Sequence, residues 1–263
     1  MKIRAITAPN PGAFTLEGTR TWLLGETAVI DPGPAIPAHI EAVRRAMPKL
    51  ETILITHRHA DHAPAAVPLR QLTGARIVAP RGVLTDEVVD RRVSDGGKIE
   101  IEGDCLTVVA TPGHTGEHVC YFTAAGDLFT GDTILGTGTT AIFPPDGDMA
   151  DYLASLEKLR ALEPERIRPA HGPDRDDAAA LIDEYIEHRL GRERQLLELL
   201  AGGPSTLDAL RGAIYPGLDP RLGAAAAIQL SAHLIKLERE RRVSEADGVY
   251  TLGPASARRP LHE

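Results

Sequence analysis

The chain has 263 residues, 43% of them apolar and 25% charged, with a formal net charge of −8. That length allows one large domain, or a large domain with a small appendage, and the acidic balance argues against a protein that holds nucleic acid by bulk positive charge. No apolar stretch reaches the roughly 20 residues of a membrane span, and residues 1–10 lack the pattern of a secretory signal. The expectation is a cytoplasmic protein with no membrane partner. Cys105 and Cys120 are the only cysteines, each within an apolar run, and are expected as buried free thiols.

Along the first 170 residues, short apolar runs of strand character recur: KIRAITA, TAVI, TILIT, ARIVA, CLTVVAT, HVCYF, DLFTGD and RIRPA. Pro, Gly and Asp separate them, as between strands. Helical patterns at 36–47, 63–72 and 151–162 alternate with these runs, the last placing Leu153, Leu156 and Leu159 on one face with Asp148 or Asp151 available to cap it. Strands with crossing helices predict a layered α/β fold.

Beyond Arg175 the pattern becomes helical. Residues 203–215 open with Ser205 and Asp208 in capping-box spacing, and residues 221–243 form a second amphipathic helix ending in Arg239, Arg241 and Arg242. Two short strands around the Asp247-Gly248 turn follow. Helices closed by a hairpin describe a winged-helix appendage, giving domains at 1–190 and 191–263. The second holds ten Lys or Arg against nine Asp or Glu, so the acidic character lies in the first.

Four apolar runs end in potential metal ligands. TILIT delivers His57, His59, Asp61 and His62; CLTVVATPG delivers His114; DLFTG delivers Asp132; RIRPA delivers His171. A buried strand is stiff, so a ligand at its end is held in place before a metal arrives. Five imidazoles and two carboxylates suit zinc, with iron or manganese as alternatives because carboxylates also suit harder ions. The set exceeds one tetrahedral zinc. His57, His59 and His114 for one ion, Asp61, His62 and His171 for another, and Asp132 as a bridge would fill a two-metal site. His39, His118, His188, His233 and His262 are isolated and carry no expected role. Trp22, in a strand pattern, is expected in the core rather than as a binding platform, and Tyr121 and Arg175 are likewise given no binding role.

THRHADH (56–62), TPGHT (111–115), GDTILG (131–136) and PAHGP (169–173) together resemble the metallo-β-lactamase superfamily. The resemblance implies a four-layer αβ/βα sandwich with a dinuclear site between its sheets, and the ligand allocation just given. Asp132 stands where class B β-lactamases carry a different ligand, which argues against β-lactam hydrolysis as the main reaction. His59 stands where di-iron redox relatives carry a carboxylate. Over the whole chain, residues 10–25, 31–40 and 131–143 and the winged-helix tail are similar to the β-lactamase-like protein 2 group, whose animal members are endoribonucleases acting on single-stranded RNA. Glyoxalase II, a thioesterase, shares every metal ligand.

The implied activity is therefore metal-dependent hydrolysis by a hydroxide bridging two zinc ions, with Asp61 accepting or relaying the proton. Single-stranded RNA, or a small ester or thioester, is the implied substrate. The loop at 136–148 follows the bridging aspartate and is expected to shape the groove, with Thr139 and Thr140 as candidate substrate contacts. The tail is expected to act as a lid or a dimerisation element, the latter making the protein a homodimer.

Overall fold

The computed structural model describes residues 1–254 and residue 256. Its first sheet runs β1 (Ile3–Thr7), β2 (Arg20–Leu24), β3 (Ala28–Ile30), β4 (Thr52–Leu54), β5 (Arg76–Pro80) and β6 (Arg91–Val93), in that spatial order. The pairings are antiparallel from β1 to β3 and parallel from β3 to β6. Crossover helices α1 (Pro37–Ala46) and α2 (Ala66–Thr73) link the parallel strands β3–β4 and β4–β5. Both faces of these strands are covered, so AVI and TIL are apolar or uncharged throughout rather than alternating. Pro37 opens α1, where its fixed φ and missing N–H are tolerated, and Gly74 ends α2 in the left-handed conformation at φ 77°.

The second sheet runs β7 (Lys98–Ile101), β8 (Asp104–Ala110), β9 (Val119–Thr123), β10 (Asp127–Gly131) and β11 (Arg166–Pro169). It is antiparallel except for β10 and β11, which pair in parallel through α3 (Met149–Arg160). Asp148 caps α3, its carboxylate accepting from the amides of Ala150 and Asp151. Of the two carboxylates available from sequence, Asp148 is the one used.

Three apolar layers hold the sandwich together. Ile53, Ile55 and Ile77 pack outward against Ile40, Val43 and Leu69 of α1 and α2. Leu54, Ile30 and Trp22 face Leu106, Val108 and Phe129 between the sheets. Leu128 and Ile167 meet Tyr152, Leu156, Ile182 and Tyr185 on the far side. Each fully buried aliphatic side chain contributes about 1.5–3 kcal/mol, so the strands that present the site are anchored by apolar packing on both faces. This is the expected four-layer αβ/βα arrangement.

The tail consists of α4 (Ala178–Ala201), β12 (Ser205–Thr206), α5 (Leu207–Ile214), α6 (Gly223–Arg239), β13 (Val243–Ala246) and β14 (Val249–Leu252). Helix α4 runs unbroken through residue 190: Leu181, Ile182 and Tyr185 lie against the second sheet, while Leu196, Leu197 and Leu200 join Leu210, Leu230 and Leu234 in a separate winged-helix core. Thr206, not Ser205, caps α5, its hydroxyl accepting from the Ala209 amide at 3.3 Å, while both residues pair with β14 in a three-stranded wing. Among the described residues no helix is long and apolar enough to cross a membrane. His262 and the last residues of the 191–263 unit lie outside the described residues.

Candidate metal centre

All seven predicted ligands follow the C-terminal ends of strands and converge between the two sheets. Past β4 the chain stays extended, Ile55 N donating to Val78 O at 3.1 Å, and then turns through residues 57–62. His62 N donates back to His59 O at 3.0 Å, so the histidines lie on a tight loop rather than on one face of a strand.

In one group, His59 Nδ1 lies 3.0 Å from both His57 Nε2 and His114 Nε2. Ligand nitrogens at 2.0–2.1 Å from a tetrahedral zinc are about 3.3 Å apart, close to this spacing. In the other group, His62 Nε2 and His171 Nε2 lie 3.3 and 3.2 Å from Asp61 Oδ2, and at those same distances from Asp132 Oδ1. Asp132 Oδ2 turns the opposite way, 3.6 Å from His114 Nε2 and 4.0 Å from His57 Nε2. Each Asp132 oxygen thus faces a different group, as a bridging ligand requires.

His62 Nε2, His171 Nε2 and Asp132 Oδ1 are buried without a hydrogen-bond partner. Buried polar atoms left unpaired are costly, and three aimed at one point fit a cation. The groups His57, His59, His114, Asp132 and Asp61, His62, His171 each bring their ligand atoms within 4.8 Å of one another. Asp31 with His57 and His62 meets the same criterion. Its carboxylate, however, is occupied by the Thr56 amide at 2.8 Å, the Thr56 hydroxyl at 2.7 Å and His62 Nδ1 at 2.9 Å, which makes it an orienting group.

The electrostatics divide along the same line. Burial holds His57 and His59 below the usual imidazole range, His57 far below, which favours the neutral form that a metal ligand needs. Burial also opposes a charge on His62 and His171. There the surrounding carboxylates of Asp132 and Asp61 outweigh it, raising His62 well above its ordinary value and His171 to about 9. Burial would raise Asp61 and Asp132, yet the neighbouring histidines hold both below the carboxylate range. The carboxylates that attract protons to this group would attract a divalent cation in the same way.

A second set of residues fixes the ligands. Thr19, fully buried, donates to Asp61 Oδ2 at 3.0 Å and is itself held by Asn10 at 2.9 Å. The His114 Nδ1–H donates to Ala141 O at 2.8 Å, leaving Nε2 free for a metal. His118, given no role from sequence, is 1% exposed, and its Nε2 accepts from the Asp132 amide at 3.2 Å. Burial keeps this imidazole neutral, and its Nδ1–H points at the hydroxyls of Thr111 and Thr133, 2.9 and 3.1 Å away. Asp31, Thr19 and His118 were not singled out from the sequence. Only Asp31 left a signal there, as a carboxylate closing the apolar run AVI.

A cavity of about 340 Å³ opens onto His59, Asp61, His114 and Asp132. Its other walls are largely apolar, formed by Phe14, Leu16, Leu135, Ala141 and Phe143, with Phe14 and Phe143 edge to face at 6.2 Å. Thr139 and Thr140 both line it. Thr139 is exposed, whereas the Thr140 hydroxyl is buried and donates to the carbonyl of Asp132 at 2.8 Å. Trp22 and Tyr121 are core residues, Trp22 donating to Pro169 O and Tyr121 to Ile55 O. Arg175 pairs with Asp177 and also reaches Gly136 O at 3.2 Å. Cys120 is buried and Cys105 half-buried, both free.

A model of the metallo-beta-lactamase superfamily matches residues 15–171, and one of the beta-lactamase associated winged helix domain matches residues 206–251. A beta-lactamase-like protein 2 homolog from Drosophila melanogaster is 33% identical over 281 residues, covering 94% of this chain and 93% of that protein. An atrochrysone carboxyl ACP thioesterase from Cryptosporiopsis sp. is 29% identical over 221 residues, 80% of this chain and 66% of the relative. In three dimensions, a beta-lactamase domain protein from Burkholderia ambifaria superposes with a TM-score of 0.82 at 20% identity, over 95% of this chain and 91% of that one. By the family-model matches over residues 15–171 and 206–251, the chain belongs to the metallo-beta-lactamase superfamily of hydrolases and carries that superfamily's associated winged helix.

Proposed function

We propose that the protein hydrolyses an ester or thioester with an apolar acyl group, using a dinuclear zinc centre held by His57, His59 and His114, by Asp61, His62 and His171, and by Asp132 between them. Five imidazoles with two carboxylates favour zinc, and iron or manganese would satisfy the same donors. Two such ions, when bound, would stabilise developing negative charge and lower the pKa of water at the site toward neutrality.

The observation that carries the substrate class is the cavity. Among the described residues that line it there is no lysine or arginine, and Phe14, Leu16, Leu135 and Phe143 offer an apolar wall beside the ligands. A polyanionic strand needs cations along its path. The basic end of α6 does not supply them at the cavity: none of Arg239, Arg241 and Arg242 lines it, Arg239 pairs with Asp148, and Arg242 lies 3.9 Å from Glu193 and 3.7 Å from Glu240. An apolar acyl chain of a few carbons gains about 0.8 kcal/mol per buried methylene in such a space. The thioesterase among the relatives supports the same reading.

Within this reaction the protein's own groups have separate tasks. The apolar wall binds the acyl group and excludes water from it, with Thr139 at the rim as a contact for the carbonyl-bearing end. Asp61 lines the cavity and is fixed by Thr19, which would place its carboxylate to accept or relay the proton of the attacking water. Two free thiols suit the reducing cytoplasm, where we place the protein.

The test is a parallel assay of the zinc-loaded chain against a hexanoyl thioester, S-D-lactoylglutathione, single-stranded RNA and a β-lactam. The expected result is turnover of the hexanoyl thioester, weaker turnover of the polar lactoyl thioester, and loss of both in Asp61→Ala. Cleavage of RNA alone would overturn the assignment and favour phosphodiester hydrolysis.

A further inference from the structure

We infer that the winged-helix tail is a positioning element of the metal centre, acting on three consecutive residues of the loop that walls the cavity. The inference rests on His114 being a metal ligand and is independent of the substrate.

Thr140, Ala141 and Ile142 are each held by a different part of the molecule. The Ala141 carbonyl accepts from His114 Nδ1–H at 2.8 Å, which fixes the tautomer and aims Nε2 at the cluster. On one side of it, the Thr140 carbonyl accepts from the guanidinium of Arg189 on α4 at 2.5 Å. On the other side, the Ile142 amide donates to Gln229 Oε1 on α6 at 2.9 Å. A carbonyl is only as fixed as the peptide units flanking it. Here both flanks are anchored from the long helices that form the tail's core.

Two features set these anchors apart from ordinary core residues. Arg189 is 1% exposed and has no carboxylate within ion-pair distance among the described residues; its charge meets the Tyr152 ring at 5.2 Å and the Thr140 carbonyl. Its Nε and the Gln229 Nε2 are both buried without partners. Apolar side chains would fill these positions without burying unpaired donors. What the polar side chains add is their hold on the loop. Between Gly136 and Asp148 the loop has no helix or strand; the Thr140 hydroxyl ties its start to the carbonyls of Asp132 and Thr133, and Arg189 and Gln229 hold the two peptide units that flank Ala141.

The experiment uses the full chain, stripped of metal and titrated with cobalt(II). Uptake is followed by visible absorption and chelator competition for the wild type, Arg189→Met, Gln229→Met and Gln229→Glu. The wild type is expected to take two equivalents. Either Met variant should weaken one of them about tenfold and change its absorption band. Gln229→Glu, whose carboxylate still accepts from the Ile142 amide, should restore both. Cobalt affinity and spectrum unchanged in the two Met variants would overturn the inference. Should a Met variant not fold, the wild type decides: in the cobalt protein the His114 Nδ1–H resonance should exchange with solvent as slowly as the α6 amides, and rapid exchange would refute the idea. No cobalt uptake by the wild type would remove the proposed reaction as well, whereas normal uptake with indifferent variants removes only the tail's role.

Discussion

Asp31 Oδ2 lies 2.9 Å from His62 Nδ1, while the same carboxylate takes both the amide and the hydroxyl of Thr56. One side chain on the first sheet therefore clamps the start and the end of the histidine loop, with Asp31 itself at φ 50° and 1% exposed. Replacing it with alanine frees the His62 ring to rotate and leaves the Thr56 amide unpaired. We expect Asp31→Ala to weaken metal binding about 10–100-fold at the Asp61, His62, His171 group, measured by competition with a chelator. Binding at the other group should change much less.

Gly131 precedes Asp132 with φ 48°, and a Cβ there would lie 2.6 Å from Thr56 Oγ1 and 2.7 Å from His118 Nε2. Neither neighbour can retreat, because both are buried and hydrogen-bonded. Gly131→Ala should lower stability by about 2–4 kcal/mol, from strain and from overpacking. Equilibrium urea unfolding of the metal-free chain checks this; a loss under 1 kcal/mol would show that the site can relax.

His118 links the Asp132 amide to the hydroxyls of Thr111 and Thr133. His118→Leu fills the space but strands these groups, and should cost about 1–3 kcal/mol. Because Asp132 loses its backbone anchor, metal affinity should fall in the same variant. Calorimetry with and without zinc separates the two effects.

Asp148 caps α3 and pairs with Arg239 across the boundary to the tail. Burial would raise its pKa, but the amides of Asp151 and Ala150 and the charge of Arg239 hold it below the ordinary 3.8. A carboxylate whose pKa is depressed on folding adds stability above its unfolded pKa and loses it as the pH falls through the folded value. Asp148→Asn keeps a capping oxygen and removes the charge. The wild type should exceed it by roughly 0.5–1 kcal/mol at neutral pH, with the gap closing below about pH 4 in a series of denaturant titrations.

Phe14, 60% exposed at the cavity wall, packs edge to face on Phe143. In Phe14→Ser, KM for a hexanoyl thioester should rise about 5–10-fold, corresponding to roughly 1–1.4 kcal/mol of lost apolar contact, while an acetyl thioester should be unaffected. Steady-state kinetics on the two substrates decides; equal effects would mean that Phe14 does not touch the acyl chain.

The metal cluster was legible because its pattern is local: apolar strand, turn, then histidine or aspartate, repeated at His57, His114, Asp132 and His171. The layered α/β character followed from the same runs, and the four-layer sandwich from the family resemblance. Strands β6 and β7 were harder to see, since RRV and KIEI have polar residues at exposed positions and short apolar spans. The α5 cap falls one residue later than the spacing predicts, because Ser205 and Thr206 are both capping residue types and local spacing does not select between them. Thr19, Asp31 and His118 act on ligands 42, 31 and 14 residues away, through contacts that no local spacing encodes. The apolar cavity is likewise a product of folding, because it brings Phe14 next to Phe143.

The shared aspartate is the centre of the account, and metal stoichiometry tests it most directly. Titration of the metal-free chain with zinc, read by calorimetry and confirmed by elemental analysis, should give two equivalents per chain, and Asp132→Ala should weaken both. A single equivalent, bound as tightly by Asp132→Ala as by the wild type, would contradict it.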